Sequence, residues 1–176
     1  MKRLALAALA ATLLAVRAFA ALKPGDAAPD FTAQASLGGK EFTFSLADAL
    51  KKGPVVLYFY PAAFTSGCTI EAHEFAEAID KYAALGASVI GVSSDNIATL
   101  DKFSLSECRS KFPVAADPDK MIMTSYGAKL MFGYANRTSY VIAPDHRIIY
   151  EYTALDPSGH VENTLAALQR WKTKQK

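Results

Sequence analysis

Cysteine is nearly absent from this 176-residue chain, which carries two, Cys68 and Cys108, beside a single tryptophan. So small a number excludes a disulfide-dense scaffold. An excess of charge of one sign is also missing: Lys+Arg 19 against Asp+Glu 17 leaves +2, too little for the basic footprint of a nucleic-acid binder. Long apolar runs are absent as well. The longest uncharged apolar stretch is the 13 residues 4–16, whereas a membrane-spanning helix needs about 20. What remains is 51% hydrophobic and 20% charged, a balance that excludes a disordered or collagen-like chain and supplies a sizeable core.

The first twenty residues are set apart from the rest. Lys2 and Arg3 open the chain, the run 4–16 follows, and Ala18-Phe19-Ala20 forms a small-x-small site. These are the three parts of a secretory signal peptide, so residues 1–20 are read as a cleaved signal and 21–176 as one domain that is periplasmic or secreted. The alternative is a retained anchor, for which 13 residues are too few. Without residues 1–20 the balance is 16 Lys+Arg against 17 Asp+Glu, a net charge of −1. No stable membrane insertion is expected after cleavage.

Two cysteines in an exported chain are read first as one structural disulfide, because the compartment is oxidising. Their surroundings open a second reading. Val55–Tyr60 is β-branched, aromatic and apolar on both faces, the pattern of a strand buried in the middle of a helix-covered sheet. Cys68, Ala72, Phe75, Ile79 and Tyr82 recur at spacings of 4, 3, 4 and 3, which predicts a helix over 66–85 with Gly86 ending it. Ser88–Ser93 reads as a second buried strand, 97–111 as a helix with Ile97, Leu100 and Phe103 inward, and 113–116 as a short strand. Asp117-Pro118 opens a short helix, 140–142 and 148–150 form a hairpin, and 159–172 is a final helix. Phe31–Leu50 suggests a small hairpin about Gly38-Gly39 or edge strands. This alternation predicts an α/β fold, a central mixed sheet with helices on both faces.

A cysteine that follows a strand and loop falls in the first turn of the next helix. There the unpaired N–H groups and the positive end of the dipole favour thiolate over thiol. A thiol with a pKa near 8.5 is about 3% ionised at pH 7 and one near 6 is roughly 90% ionised, so position alone can make Cys68 a nucleophile. It can equally be a small buried hydrophobe or half of a disulfide.

The stretch Tyr58-Phe59-Tyr60-Pro61-Ala62-Ala63-Phe64-Thr65-Ser66-Gly67-Cys68-Thr69-Ile70-Glu71 resembles the active-site segment of the peroxiredoxins, with their Pro-x-x-x-Thr-x-x-Cys pattern complete. Its Phe-Tyr-Pro entry and Cys-Thr-x-Glu exit are similar to the bacterioferritin-comigratory, or peroxiredoxin Q, branch. The likeness extends through Leu22–Phe31, Gly91–Asp95, Phe112-Pro113 with Asp117, and Arg137–Ile142. It implies a thioredoxin-like fold and a thiol peroxidase that reduces hydrogen peroxide and small organic hydroperoxides. Cys68 matches the peroxidatic cysteine, which becomes a sulfenic acid. Thr65 matches the threonine that orients the peroxide, and Pro61 the proline that shields the thiolate. Arg137 matches the arginine that reaches the site from a later strand; its guanidinium cannot lose its proton and can hold negative charge. Taken alone, Arg137 would be a solvated surface residue. Glu71 matches the branch's Cys-Thr-x-Glu and supports the active-site hydrogen bonds on that basis; as an isolated residue it would be a helix-surface charge.

The chain departs from the branch at His73, which stands five residues after Cys68 where many members carry a resolving cysteine. Two routes remain open: Cys108 attacks the sulfenic acid, or an external thiol does. At 100° per residue Cys108 lies about 20° from Ile97 but about 140° from Phe103 on the predicted helix, at the margin of the apolar stripe. Bridging needs Cα atoms within about 7 Å, so local unwinding about both cysteines is expected if the disulfide forms. His73, His146 and His160 lack metal-ligand spacing and are read as surface or capping residues. No metal, haem or flavin cofactor is implied. The expected partners are a peroxide and an external thiol or thioredoxin-like reductant, with the protein a monomer or weak homodimer. The runner-up is a thiol–disulfide oxidoreductase on the same fold, disfavoured because Thr65 occupies the first position of the Cys-x-x-Cys it would need. A redox-sensing protein without turnover is the third reading.

Overall fold

The computed structural model describes residues 20–130 and 132–175, so the segment read as a signal peptide lies outside the described residues except for Ala20. The strands are β1 (Thr32–Leu37), β2 (Lys40–Ser45), β3 (Val55–Phe59), β4 (Ser88–Ser93), β5 (Val114–Ala116), β6 (Thr138–Ile142) and β7 (Ile148–Thr153). They form one mixed sheet in the order β2-β1-β5-β4-β3-β6-β7. β3 and β4 are parallel, as are β4 and β5, while β6 runs antiparallel to β3. The parallel pairs require crossovers, which α2 (Ser66–Ala84) and α3 (Ile97–Ser106) supply.

The sheet is the expected one with helices on both faces, and the pleat of β3 shows why. Every residue of β3 is buried, and alternate side chains enter opposite cores. Val56 and Tyr58 join the core covered by α2, α3 and α5 (His160–Lys174), through Phe75, Leu100, Phe103 and Leu168. Val55, Leu57 and Phe59 join the core covered by α1 (Leu46–Leu50) and α4 (Met121–Ser125), through Leu46, Leu50 and Met123. The hairpin about Gly38-Gly39 is β1–β2, and both glycines have positive φ, +58° and +77°.

Two local expectations are corrected. Helix α1 was not foreseen; Ser45 caps it by accepting from the Asp48 N–H at 3.2 Å, which makes five residues sufficient. Helix α3 stops at Ser106 rather than 111. Arg109 and Ser110 take left-handed backbone, φ 51° and 55°, and the Cys108 N–H closes the turn on the Phe103 carbonyl at 3.0 Å. Cys108 is therefore not on the margin of a helix. It sits in the turn beyond it and is fully buried.

The register of the sheet positions the site. Phe59 pairs with Thr138, so Arg137 stands beside the point where the chain leaves β3 for α2.

Candidate active site

The loop between β3 and α2 is tied to the end of β4. The Tyr60 N–H donates to the Val92 carbonyl at 3.2 Å, and the Ala63 N–H donates to Asp95 Oδ2 at 2.8 Å. Ser93 Oγ donates to the same carboxylate oxygen, also at 2.8 Å. Phe64 has φ 64°, a left-handed conformation that is strained for an aromatic residue; its ring meets Phe103 edge-on at 5.3 Å. Pro61 is half-buried directly after the strand. Thr65 is the exposed N-cap of α2, and its hydroxyl donates to the Ala62 carbonyl at 3.0 Å rather than capping the helix. Cys68 is the third residue of α2, in the turn whose N–H groups have no partner within the helix.

Arg137 completes this environment. Its Nη2 donates to Cys68 Sγ at 3.5 Å, its Nη1 to Glu71 Oε2, and its Nε to the Leu155 carbonyl at 3.0 Å. A Cβ on Gly67 would lie 3.1 Å from Nη2, so glycine there leaves room for the guanidinium. Arg137 is only 4% exposed. Burial works against its charge, but Glu71 and Cys68 together hold its pKa above the ordinary value. The cation and the helix N-terminus both favour negative charge on the sulfur.

Glu71, which alone would be a helix-surface charge, is fully buried. Burial pushes its carboxyl up to about 8 against the pull of Arg137. Behind it stands His160. The expectation that His160 is a surface or capping residue is overturned: it is the first residue of α5 and fully buried. Its Nδ1 lies 2.8 Å from Ser139 Oγ and 3.6 Å from Glu71 Oε1, and its Nε2 lies 3.1 Å from the Ala154 carbonyl. His73 and His146 are half-buried.

Cys108 occupies the same core cluster as Cys68, and both thiols are free. Burial, with a smaller contribution from Glu107, pushes the Cys108 thiol far up. The phenols of Tyr58 and Tyr60 are buried in that cluster without hydrogen-bond partners among the described residues; burial first, then Cys108, raises both well above the ordinary tyrosine value. The turn that carries Cys108 is fastened to α2 on either side of the cysteine. His73 Nε2 and Glu107 Oε2 are 2.9 Å apart, and Arg109 Nη1 donates to Glu77 Oε1 at 3.2 Å.

The structure thus joins Cys68, Arg137 and Glu71 directly and places Thr65 and Pro61 in the loop that leads to Cys68. Cys108 shares their core without bonding to Cys68. Gly67, Asp95, Ser139 and His160 were missed. For His160 a signal existed: it lies 4, 7 and 8 residues before Thr164, Ala167 and Leu168, all buried, so it continues the inward stripe of α5.

A sequence model of the AhpC/TSA family matches residues 24–151. The Mycobacterium tuberculosis peroxiredoxin Rv2521 is 35% identical over 147 residues, covering 80% of this chain and 90% of that protein. The crystal structure of peroxidoxin BcpB from Mycobacterium tuberculosis superposes with a TM-score of 0.78 at 30% identity, over 85% of this chain and 97% of that one. A cysteine-to-serine variant of Xylella fastidiosa PrxQ gives 0.76 at 26% identity, over 85% and 97%.

Proposed function

Because the chain belongs to the AhpC/TSA family and is a thiol peroxidase of thioredoxin-like fold, we propose that Cys68 is the residue that attacks the peroxide and Cys108 the residue that resolves it. The observation that carries the assignment is the Arg137 guanidinium 3.5 Å from a buried sulfur at a helix N-terminus. In the first step the Cys68 thiolate attacks the terminal oxygen of ROOH. An S–O bond forms, the O–O bond breaks, and the departing alkoxide takes a proton to leave as ROH, with Cys68 as the sulfenic acid. Charge that develops on the leaving oxygen is met by donors already in place, the condition under which electrostatic stabilisation is most effective. Thr65, at the mouth of the helix, orients the peroxide, and Pro61 keeps water from the sulfur.

In the second step the Cys108 sulfur attacks the Cys68 sulfenic sulfur, an S–S bond forms and water leaves. An external dithiol of thioredoxin type then reduces the bridge. The turn after α3 and the first turn of α2 must both open for this, since each cysteine starts buried in its own backbone frame. Hydrogen peroxide and small organic hydroperoxides fit a sulfur reached through a short loop. Residues 1–20 direct export; the charged start, apolar run and Ala-Phe-Ala site support that reading.

The test is peroxide consumption with dithiothreitol by wild type, Cys68→Ser and Cys108→Ser, with mass spectrometry of the oxidised protein. Turnover is lost in Cys68→Ser and kept in Cys108→Ser, and wild type treated with one equivalent of peroxide carries a 68–108 bridge. Two free thiols or a persistent sulfenic acid in wild type would remove Cys108 from the mechanism.

A further inference from the structure

Among the described residues five tyrosines are fully buried, Tyr58, Tyr60, Tyr82, Tyr126 and Tyr140. Three of their phenols are satisfied. Tyr82 Oη shares a hydrogen bond with Thr164 Oγ1, Tyr126 Oη donates to the Pro29 carbonyl and Tyr140 Oη to the Tyr126 carbonyl, each at 2.7 Å. Tyr58 and Tyr60 have no partner among the described residues, and neither bonds to a cysteine sulfur. Ser93 pulls the Tyr60 phenol against the effect of burial, but its hydroxyl is given to Asp95 and makes no hydrogen bond with Tyr60. A buried hydroxyl left unpaired carries its full desolvation cost, and native cores leave few such groups.

Both unpaired phenols lie against the segment that holds Cys108. Tyr60 stacks on Phe103 with ring centroids 5.5 Å apart, and Tyr58 meets Phe112 edge-on at 6.0 Å, so the two rings touch the two ends of the turn. The Phe103 carbonyl closes that turn by accepting from the Glu107 N–H at 2.9 Å and the Cys108 N–H at 3.0 Å. Burial apart, Cys108 is the largest influence on either phenol. Tyr58 is not free to swing away. It stacks on Phe75 at 4.4 Å and lies so close over Gly91 that a Cβ there would come within 2.8 Å of the hydroxyl oxygen. Its backbone belongs to β3, paired on both sides in the middle of the sheet, so the part able to move is the turn.

We propose that Tyr58 and Tyr60 are positioning residues of the resolving step: their unpaired hydroxyls disfavour the closed form of the Cys108 turn, and opening of the turn lets water reach them, so that Cys108 is released by a local movement while the sheet stays folded. The inference rests on Cys108 being the resolving sulfur. On the outside, His73 with Glu107 and Arg109 with Glu77 hold the turn shut. The phenols beneath it oppose them. With phenylalanine in their place the closed form gains, and Cys108 reaches the Cys68 sulfenic acid less often.

The test separates local opening from global unfolding. The reduced full chain carrying Cys68→Ser is labelled at Cys108 with a maleimide under native conditions, and its denaturant midpoint is measured alongside. Tyr58→Phe and Tyr60→Phe added to that parent each slow the labelling by about fivefold, the lower end of what an unpaired buried hydroxyl costs, and the double variant slows it further. Tyr82→Phe is the control from the same core. It breaks the bonds to Thr164 and Val161, lowers the midpoint and does not slow the labelling. A labelling rate at or above the parent's in the double variant overturns the proposal, whatever the midpoint does: hydroxyls that matter only when the whole domain unfolds move the midpoint and not the local opening. In the chain with both cysteines, Tyr58→Phe also delays the 68–108 bridge after a peroxide pulse. The assignment of Cys108 as the resolving sulfur fails separately, if the wild type forms no such bridge, a result independent of labelling in Cys68→Ser.

Discussion

Cys68 and Cys108 are 1% and 0% exposed and belong to one core cluster, yet their sulfurs meet different neighbours. Cys68 has an arginine and a helix N-terminus against its sulfur. Cys108 has neither; it lies among Phe103, Phe112 and the unpartnered tyrosines, behind a turn in left-handed backbone, and its thiol is pushed far up by burial. Burial therefore does not decide reactivity. The decisive difference is whether the buried sulfur has a cation to meet its charge. On the proposed assignment, Cys68 reacts where it stands, against its cation, and Cys108 reacts only after its turn opens.

The comparison is broken most completely by removing the sulfur that has the cation: Cys68→Ser abolishes peroxide turnover, while Cys108→Ser retains it with dithiothreitol. Removing the cation instead is the next largest effect. Arg137→Met makes Cys68 resemble Cys108, buried without a counter-charge, and lowers the second-order rate constant for peroxide by about 10²–10³-fold. Arg137→Lys does not restore it, because an ammonium cannot serve Sγ, Glu71 Oε2 and the Leu155 carbonyl from one planar fork. Stopped-flow oxidation of Cys68 in the reduced protein measures both. A rate within threefold of wild type for Arg137→Met, roughly 0.7 kcal/mol, contradicts the electrostatic account.

The pair behind Arg137 gives the Cys68 side a pH signature that the Cys108 side lacks. Glu71 is raised from 4.5 to about 8, so its contribution to stability is complete below pH 4.5 and is lost as pH rises toward 8. His160 is lowered from 6.5 to about 4, so its contribution is complete above pH 6.5 and is lost as pH falls toward 4. The two opposing slopes leave a plateau between about pH 4.5 and 6.5 and a fall above it, on the order of 2 kcal/mol by pH 8. Glu71→Gln removes the alkaline fall in thermal unfolding. His160→Phe removes its share of the loss on the acid side. A wild-type midpoint that does not decline between pH 6.5 and 8 contradicts the raised carboxyl.

Most of the fold was legible because its strands and helices carry unmixed signals. Val55–Phe59 is apolar on both faces and lies inside the sheet, and the 4, 3, 4, 3 spacing from Cys68 to Tyr82 traces a real inward stripe. The Pro61–Cys68 segment was legible as a motif because its residues are close in the chain. What was not legible depends on contacts between distant residues. Arg137 and Glu71 read as surface charges when taken singly, and only the pairing of β6 with β3 shows that they meet inside. His160 looked like a cap because a helix start is where caps occur; the buried acceptors and donors around it come from β6 and from the residues before α5. Cys108 was placed on a helix because nothing local announces two consecutive left-handed residues at Arg109 and Ser110.

The smallest effect sharpens the Cys108 side. Two polar contacts fasten its turn to α2, His73 with Glu107 and Arg109 with Glu77, and they flank the cysteine in sequence. Both are partly exposed, with side-chain exposures of 37% and 20% for the first pair and 46% and 67% for the second, so each is worth only about 0.2–1 kcal/mol. That is enough to matter for a local opening, whose population follows the free energy of the segment rather than of the whole protein. Glu107→Ala and His73→Phe should each raise the labelling rate of Cys108 by a maleimide about two- to fivefold in the reduced Cys68→Ser protein, and Glu77→Ala by less, since its pair is more exposed. The same substitutions leave the first oxidation of Cys68 untouched and speed the appearance of the 68–108 bridge after a peroxide pulse. If Cys108 labels at the wild-type rate in all three, the contacts do not hold the turn, and its closure rests on the apolar packing of the thiol and Phe112 alone.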